Sequence, residues 1–99
     1  MKFKIYQLKK EHNDAMFLSL DMLKHFNLEF DFSKYKKVYE GNMHVDDLDH
    51  IFTIFNVDRP ADFNGHSLSV SDIVQVIESE TIELGYYFCD SFGWKKVEV

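Results

Sequence analysis

The apolar residues of this 99-residue chain follow two periods, and together they limit the folds that the chain can adopt. Lys2 to Leu8 and Thr81 to Cys89 alternate apolar with polar side chains, as strands with one buried face do. Between them, Leu48, Ile51, Phe52 and Phe55 fall at positions i, i+3, i+4 and i+7, which is one buried helical stripe. The chain therefore contains both strands and helices.

The sequence predicts two helices. The first covers Ala15 to Phe26, with Asn13 or Asp14 as its cap. The second opens at Asp46 and Asp47 and ends by Arg59, because Pro60 restricts the preceding residue and cannot continue the backbone hydrogen bonds. Residues 60–65 are then predicted to form a loop.

Strands are predicted to outnumber helices. Their positions are 2–8, 35–39 before a turn at 40–42, 73–77, 81–89, and 94–99. The last two can form a hairpin across residues 90–93, where Gly93 permits a tight turn. We expect an α+β fold in one domain over residues 1–99, with a mostly antiparallel sheet of about five strands and two helices packed on one face.

The composition is that of a folded protein, with 45% hydrophobic and 16% aromatic residues and a single proline. No run approaches the roughly 18 consecutive apolar residues of a membrane span, and the amino terminus lacks the apolar core of a signal peptide. One cysteine, Cys89, cannot form an internal disulfide. These features predict a cytoplasmic protein that does not act at a membrane.

Negative charge is concentrated in the second half of the chain. The formal net charge is −6, and residues 40–90 contain eleven acidic residues against one basic residue, Arg59. Such a field favours a basic protein partner and disfavours direct binding of nucleic acid, although acids can also serve solubility alone. Asp46, Asp47, Asp49 and Asp62 are the predicted partner contacts, because a helix start and a loop should be exposed.

The aromatic residues near the carboxyl end could in principle stack on bases. They are Tyr86, Tyr87, Phe88, Phe92 and Trp94. Nucleic-acid binding would need basic residues interleaved with them, and only Lys95 and Lys96 are near. We assign most of these rings to core and hairpin packing.

Two segments carry residue types that bind metals or catalyse reactions. The first contains His44, Asp46, Asp47, Asp49 and His50, of which Asp46 and His50 would be i, i+4 neighbours on a helix. The alternative is that the acids occupy a first helical turn, where negative charge is favoured. Because no compact set of further ligands is evident, we predict neither a metal nor a cofactor.

The second segment, Gly65 to Asp72, contains a histidine, three serines and an aspartate. A catalytic triad needs convergence in space, and neighbouring positions along one extended segment tend to prevent it. We therefore predict no catalytic residues. The serine hydroxyls are expected to bond nearby backbone, and Asp72 to close the turn into the strand at Ile73.

Three stretches resemble the YodL-like domain family, and together they span nearly the whole chain. They are residues 3–8, residues 38–41 with 48–56, and residues 60–74 followed by 86–94. The resemblance implies a setting in phages and conjugative elements of Firmicutes, where the domain occurs as short proteins and as modules of longer ones. It brings no settled activity and no catalytic residues to carry over.

Three hypotheses remain. The leading one is a non-enzymatic counter-defence inhibitor of the anti-CRISPR type, which covers a basic nucleic-acid-binding surface of a CRISPR nuclease and blocks guide or target loading. A second is a docking module that uses Gly65 to Asp72 and an exposed strand edge to recruit another mobile-element protein. A third is a metal-assisted nuclease with His44, Asp46, His50 or His66.

Overall fold

Five strands form one sheet in which every neighbouring pair is antiparallel. The computed structural model describes all of residues 1–99, and the strands are β1 (Lys2–Leu8), β2 (Tyr35–Asn42), β3 (Ile73–Glu78), β4 (Gly85–Asp90) and β5 (Gly93–Val97). Their order in the sheet is β2-β1-β3-β4-β5. The helices are α1 (Leu20–His25) and α2 (Leu48–Val57), with 3-10 turns at Lys10–Ala15 and Phe32–Lys34. The predicted α+β class with five antiparallel strands is confirmed.

The sheet buries side chains on both of its faces, because the large apolar residues of β1 point to both faces. Phe3 and Ile5 point to one face, and Leu8 lies on the other. The core accordingly divides into two clusters. The buried members of the first are Phe3, Ile5, Val38, Tyr39, Val45, Leu48, Ile51, Phe55, Leu68, Val74 and Val76. Those of the second are Leu8, Ala15, Leu23, Tyr35, Ile73 and Phe88.

The two helices belong to different clusters. Leu48, Ile51 and Phe55 bring α2 into the first cluster, whereas Leu23 brings α1 into the second. The predicted packing of both helices on one face is therefore not confirmed. A strand whose apolar side chains point to both faces of the sheet must be covered on both sides. Helix α2 covers part of one face, and α1 covers part of the other.

The predicted helix over Ala15 to Phe26 is wrong in its first half. The chain leaves a 3-10 turn at Ala15, and Phe17 then adopts a left-handed φ of +67°, which no helix continues through. The helix restarts at Leu20, with Ser19 as its cap: Ser19 Oγ accepts a hydrogen bond from the Met22 N–H at 3.2 Å. Neither Asn13 nor Asp14 is the cap.

Two strand boundaries also differ from the prediction, and each difference involves a glycine. Strand β2 continues through the predicted turn at 40–42, because Phe3 pairs with Gly41 and the Tyr39 ring lies where a Cβ of residue 41 would be. Strand β4 begins at Gly85 and not at Thr81, since Ser79 Oγ accepts hydrogen bonds from the N–H groups of residues 81 and 82 in a turn. Helix α2, strand β3 and the β4–β5 hairpin are confirmed.

Phe55 is the residue with which we test the packing of α2. It is fully buried, with the rings of Phe3, Tyr39 and Phe63 at centroid distances of 6.0, 4.9 and 5.0 Å. We expect Phe55→Ala to lower the free energy of unfolding by about 3–5 kcal/mol, because it removes apolar contacts and leaves a cavity. Urea denaturation followed by circular dichroism measures the loss.

The matched control for this substitution is Phe92→Ala, which makes the same change at a side chain that is 95% exposed. We expect it to change the free energy of unfolding by less than about 0.5 kcal/mol. Equal losses at the two positions would contradict the assignment of Phe55 to the core.

Candidate functional site

Three of the four acids predicted to contact a partner lie together at the amino end of α2. Asp46 and Asp47 precede the helix, Asp49 is in its first turn, and all three are exposed. Asp62 is also exposed, but it follows the other end of this ten-residue helix, which is about 15 Å long. The acids therefore form a group of three with a fourth apart from it.

The three grouped acids have different local roles. The Asp47 side chain caps α2 by accepting a hydrogen bond from the His50 N–H at 2.8 Å. Asp49 Oδ1 accepts from the Trp94 indole N–H at 3.2 Å. The backbone oxygen of Asp46 accepts from Thr81 Oγ1 at 2.6 Å, whereas the Asp46 carboxylate has no hydrogen bond within the protein. Negative charge at the helix start thus also stabilises α2.

A polar groove of about 460 Å³ runs beside these acids. Its charged side chains are Asp46, Glu78 and Glu80 against a single lysine, Lys2. The groove adds two carboxylates from the end of β3 and the following turn to the acids at the start of α2. Glu78 and Glu80 were not among the acids predicted from the sequence, because their proximity to Asp46 depends on the fold.

The residues of the metal hypotheses do not converge. His44 and His50 are exposed, and no group of three or more His, Cys, Asp or Glu residues in the chain is placed to hold a metal ion. His66 lies instead beside Gln7 and Asp72, in the segment before β3. The structure therefore does not assemble the residues of the nuclease hypothesis into one site.

A buried polar cluster around Asp72 is the most unusual feature of the Gly65 to Asp72 segment. Asp72 is only 1% exposed, and its Oδ2 accepts hydrogen bonds from Gln7 Nε2 at 3.0 Å and from the Ser69 N–H at 2.9 Å. Desolvation by burial raises the pKa of Asp72 from 3.8 to about 7, against the hydrogen bonds from Ser69 and Gln7 that favour the ionised form. Asp72 therefore closes the turn into β3, as the sequence predicts.

Gln7 holds the segment against β1. Its Nε2 donates to the His66 carbonyl at 2.9 Å, and its Oε1 accepts from the His66 N–H at 3.2 Å. A Cβ at Gly65 would collide with Gln7 Oε1, so glycine permits this approach. Gln7 was not predicted from the sequence, although a signal existed: it is a polar residue whose side chain points to the same buried face as Phe3 and Ile5.

His66 is held by the same cluster. Its Nδ1 lies 2.7 Å from the Ser67 carbonyl oxygen, and its Nε2 is 4.0 Å from Asp72 Oδ1. That Nε2 is buried and has no hydrogen-bond partner. No serine hydroxyl is hydrogen-bonded to the imidazole, so the segment lacks the contact that activates a serine nucleophile.

Ser71 ties this segment to the irregular stretch before α1. Ser71 has a left-handed φ of +86°, its Oγ accepts from the Phe17 N–H at 3.1 Å, and its carbonyl accepts from the Tyr35 hydroxyl at 2.6 Å. Phe17 and Ser71, which both have positive φ, are thus joined by a hydrogen bond. The hydroxyls shape the backbone, although Ser71 does so across 54 residues of sequence.

A second groove, of about 220 Å³, separates α2 from the β4–β5 hairpin. We call it the Trp94 groove, and the residues that line it include Asp49, Phe52, Val70, Cys89, Asp90 and Trp94. Phe88 is in the core, as predicted for most of the aromatic residues, but Phe92 at the hairpin tip is not packed. Burial, with smaller contributions from Asp72, Asp90 and Asp49, raises the pKa of the Cys89 thiol to about 12.

Comparison with known proteins identifies the family. The family model described as the YodL-like domain matches residues 2–99. The chain belongs to the YodL-like domain family. No curated protein and no solved structure matches the chain. No helix of this YodL-like domain combines the length and the apolar character that crossing a membrane requires.

The raised pKa of Asp72 predicts how the stability of this YodL-like domain varies with pH. Between about pH 4 and pH 7 the folded state retains a proton that the unfolded state has lost. The free energy of unfolding should therefore fall as pH rises through this window, by up to roughly 1.4 kcal/mol per pH unit, and level off above it. Urea denaturation at a series of pH values measures the slope.

Asp72→Asn provides the comparison, because its amide oxygen can still accept from Gln7 and Ser69 but does not titrate. We expect the difference in unfolding free energy between wild type and Asp72→Asn to decline across the same window. His66→Gln, measured in parallel, isolates the contribution of the neighbouring imidazole. A difference that stays constant with pH would show that Asp72 is ionised throughout.

Proposed function

We propose that this YodL-like domain is a non-enzymatic binding protein that uses its acidic surface to occupy a basic surface of another protein. The observation that carries the proposal is the exposed group Asp46, Asp47 and Asp49, which adjoins a groove with two further carboxylates and one lysine. Exposed charge of one sign accelerates association with the opposite sign. Asp62 would contribute to the same field from the other end of α2.

The proposed partner is the basic nucleic-acid-binding surface of a CRISPR nuclease in the bacterial cytoplasm, where the domain would block guide or target loading. Two considerations support this choice. The family resemblance implies a mobile-element setting, in which small acidic proteins often inhibit host defence. The eleven acids among residues 40–90 also disfavour direct binding of nucleic acid, so a protein that binds nucleic acid fits better than nucleic acid itself.

A docking module is the second candidate, and the sheet order favours it. Strand β5 has a partner on one side only, so its outer edge can pair with an added strand. The Gly65 to Asp72 segment contributes less to a docking surface than the sequence indicates, since Leu68, Ser71 and Asp72 are buried. Docking of this kind would use backbone and apolar contacts, so its affinity would change little with salt concentration.

The test is a binding assay against a panel of CRISPR nucleases at low and moderate salt. We expect binding that weakens with salt, because exposed charges are screened. Replacement of Asp46, Asp47, Asp49 and Asp62 by asparagine should weaken binding by about tenfold or more, since each exposed ion pair contributes about 0.2–1 kcal/mol. Surface plasmon resonance measures the association and dissociation rates.

The matched control removes four negative charges elsewhere, by converting Glu11, Asp14, Asp21 and Glu29, all of them exposed, to their amides. Binding that survives the first set of substitutions as well as the second would contradict the acidic-surface proposal. Binding insensitive to both sets and to salt would support docking. Cleavage of RNA or DNA by the purified domain with Mg²⁺, Mn²⁺ or Zn²⁺, abolished by EDTA, would contradict the non-enzymatic assignment.

A further inference from the structure

Asn64 and Gly65 form the only Asn-Gly pair of the chain, and they lie in the loop between α2 and β3. Asn64 is exposed, and its backbone N–H donates to the Val38 carbonyl at 3.4 Å. No hydrogen bond within the protein holds its side-chain amide or the Gly65 N–H. An unrestrained side-chain amide therefore lies next to an unrestrained backbone nitrogen.

These two groups are the reactants of asparagine deamidation. The Gly65 nitrogen gives its proton to hydroxide and attacks Asn64 Cγ. The new bond closes a cyclic succinimide, and the side-chain nitrogen leaves as ammonia. Water then opens the ring at either carbonyl, which gives aspartate or isoaspartate. A side chain on the following residue hinders the attack, and glycine has none.

We propose that Asn64 is a site of spontaneous deamidation, and that its isoaspartate product releases the Gly65 to Asp72 segment from β1. The reaction consumes only water and is promoted by hydroxide, so it needs no partner. It does not depend on the proposed function.

The other asparagines lack this combination of features. The residues that follow them are Asp14, Leu28, Met43 and Val57. Asn56 lies in α2, and its side-chain amide donates to two backbone carbonyls. Asn27 is exposed and has a left-handed φ of +58°, but a leucine follows it. It is the control within the chain for an exposed asparagine whose neighbour carries a side chain.

The fold itself requires the glycine that makes Asn64 reactive. The Gly65 backbone passes so close to Gln7 Oε1 that a Cβ at this position would collide with it. A larger residue, which would shield Asn64, is therefore excluded by the contact that holds the segment on β1.

Isoaspartate would disturb this contact directly. It routes the main chain through the Cβ of residue 64, which lengthens the backbone by one carbon and leaves a free carboxylate. The inserted carbon lies between the bond from the Asn64 N–H to Val38 and the bond from the His66 N–H to Gln7 Oε1, which is 3.2 Å long. Only residues 64 and 65 separate these two bonds, so we expect the bonds between Gln7 and His66 to be lost.

The experiment incubates the freshly purified full chain at physiological temperature in mildly acidic and mildly alkaline buffer. Cleavage before aspartates by endoproteinase Asp-N gives peptide 62–71, which contains Asn64, and peptide 21–30, which contains Asn27. Mass spectrometry detects the replacement of NH2 by OH. Aspartate at position 64 creates a new cleavage site, whereas isoaspartate does not.

We expect peptide 62–71 to gain this mass several times faster than peptide 21–30, and faster in alkaline than in acidic buffer. Most of the product should remain uncleaved at position 64, as isoaspartate does. Freshly prepared protein, digested in parallel, corrects for deamidation during digestion.

Two variants isolate the structural effect, which urea denaturation measures after incubation. Wild type should acquire a less stable fraction equal to its isoaspartate content. Asn64→Gln keeps an amide but closes the ring far more slowly, and it should stay unchanged. Asn64→Asp carries the new charge without the inserted carbon and, when fresh, should unfold as fresh wild type does.

Equal rates in the two peptides, or a rate that does not rise with pH, would overturn the assignment of Asn64 as the site. Isoaspartate that leaves the urea transition unchanged would overturn the release of the segment. An equal loss of stability in fresh Asn64→Asp would show that charge causes the effect, which contradicts the role of the inserted carbon.

Discussion

A carboxyl group that is buried in a protein must have its oxygens hydrogen-bonded or must be protonated. Asp72, which is 1% exposed, satisfies this constraint in both ways: it accepts hydrogen bonds from Gln7 and Ser69, and burial raises its pKa to about 7. Its side chain joins β1, through Gln7, to the turn at Ser69. Its backbone oxygen accepts from the Cys89 N–H at 2.8 Å, which extends the connection to β4. One residue thus links three neighbouring strands and the segment that carries Leu68 into the core. The loop between α2 and β3 is thus held by these polar contacts as well as by Leu68 and Phe63, which pack in or against the first cluster.

The position of α2 follows from the same arrangement. Asn56 Nδ2 donates to the Leu68 carbonyl at 3.0 Å, so the segment held by Asp72 also contacts the carboxyl end of this helix. At the amino end, Asp49 contacts Trp94 of the hairpin. The helix is therefore fixed at both ends by hydrogen bonds and along its length by Leu48, Ile51 and Phe55. This placement leaves Asp46 and Asp47 exposed, and it opens the Trp94 groove between α2 and β5.

The elements that could be predicted from the sequence are those whose determining residues lie within or next to the element itself. Helix α2 was predictable because its apolar stripe, its cap at Asp47 and the stop before Pro60 agree. Helix α1 was not, because the break at Phe17 is stabilised by Ser71, 54 residues away. The acids at the start of α2 could be selected as exposed, whereas Glu78 and Glu80 join them only through the sheet. Trp94 contacts Asp49 for the same reason, and no spacing in the sequence encodes that contact.

The sheet order has a consequence for how the chain reaches its native state. Strand β1 lies between β2 and β3, and its contact with β3 spans 69 residues of sequence, as between Tyr6 and Gln75. Until residues near 78 are available, β1 can pair on one side only, and the buried partners of Gln7 and Ile5 are missing. Closing so long a loop costs conformational entropy, and this cost comes before the contacts between β1 and β3 have formed to offset it. We expect this small domain to fold more slowly than a helical bundle of equal length, and to do so as one cooperative unit.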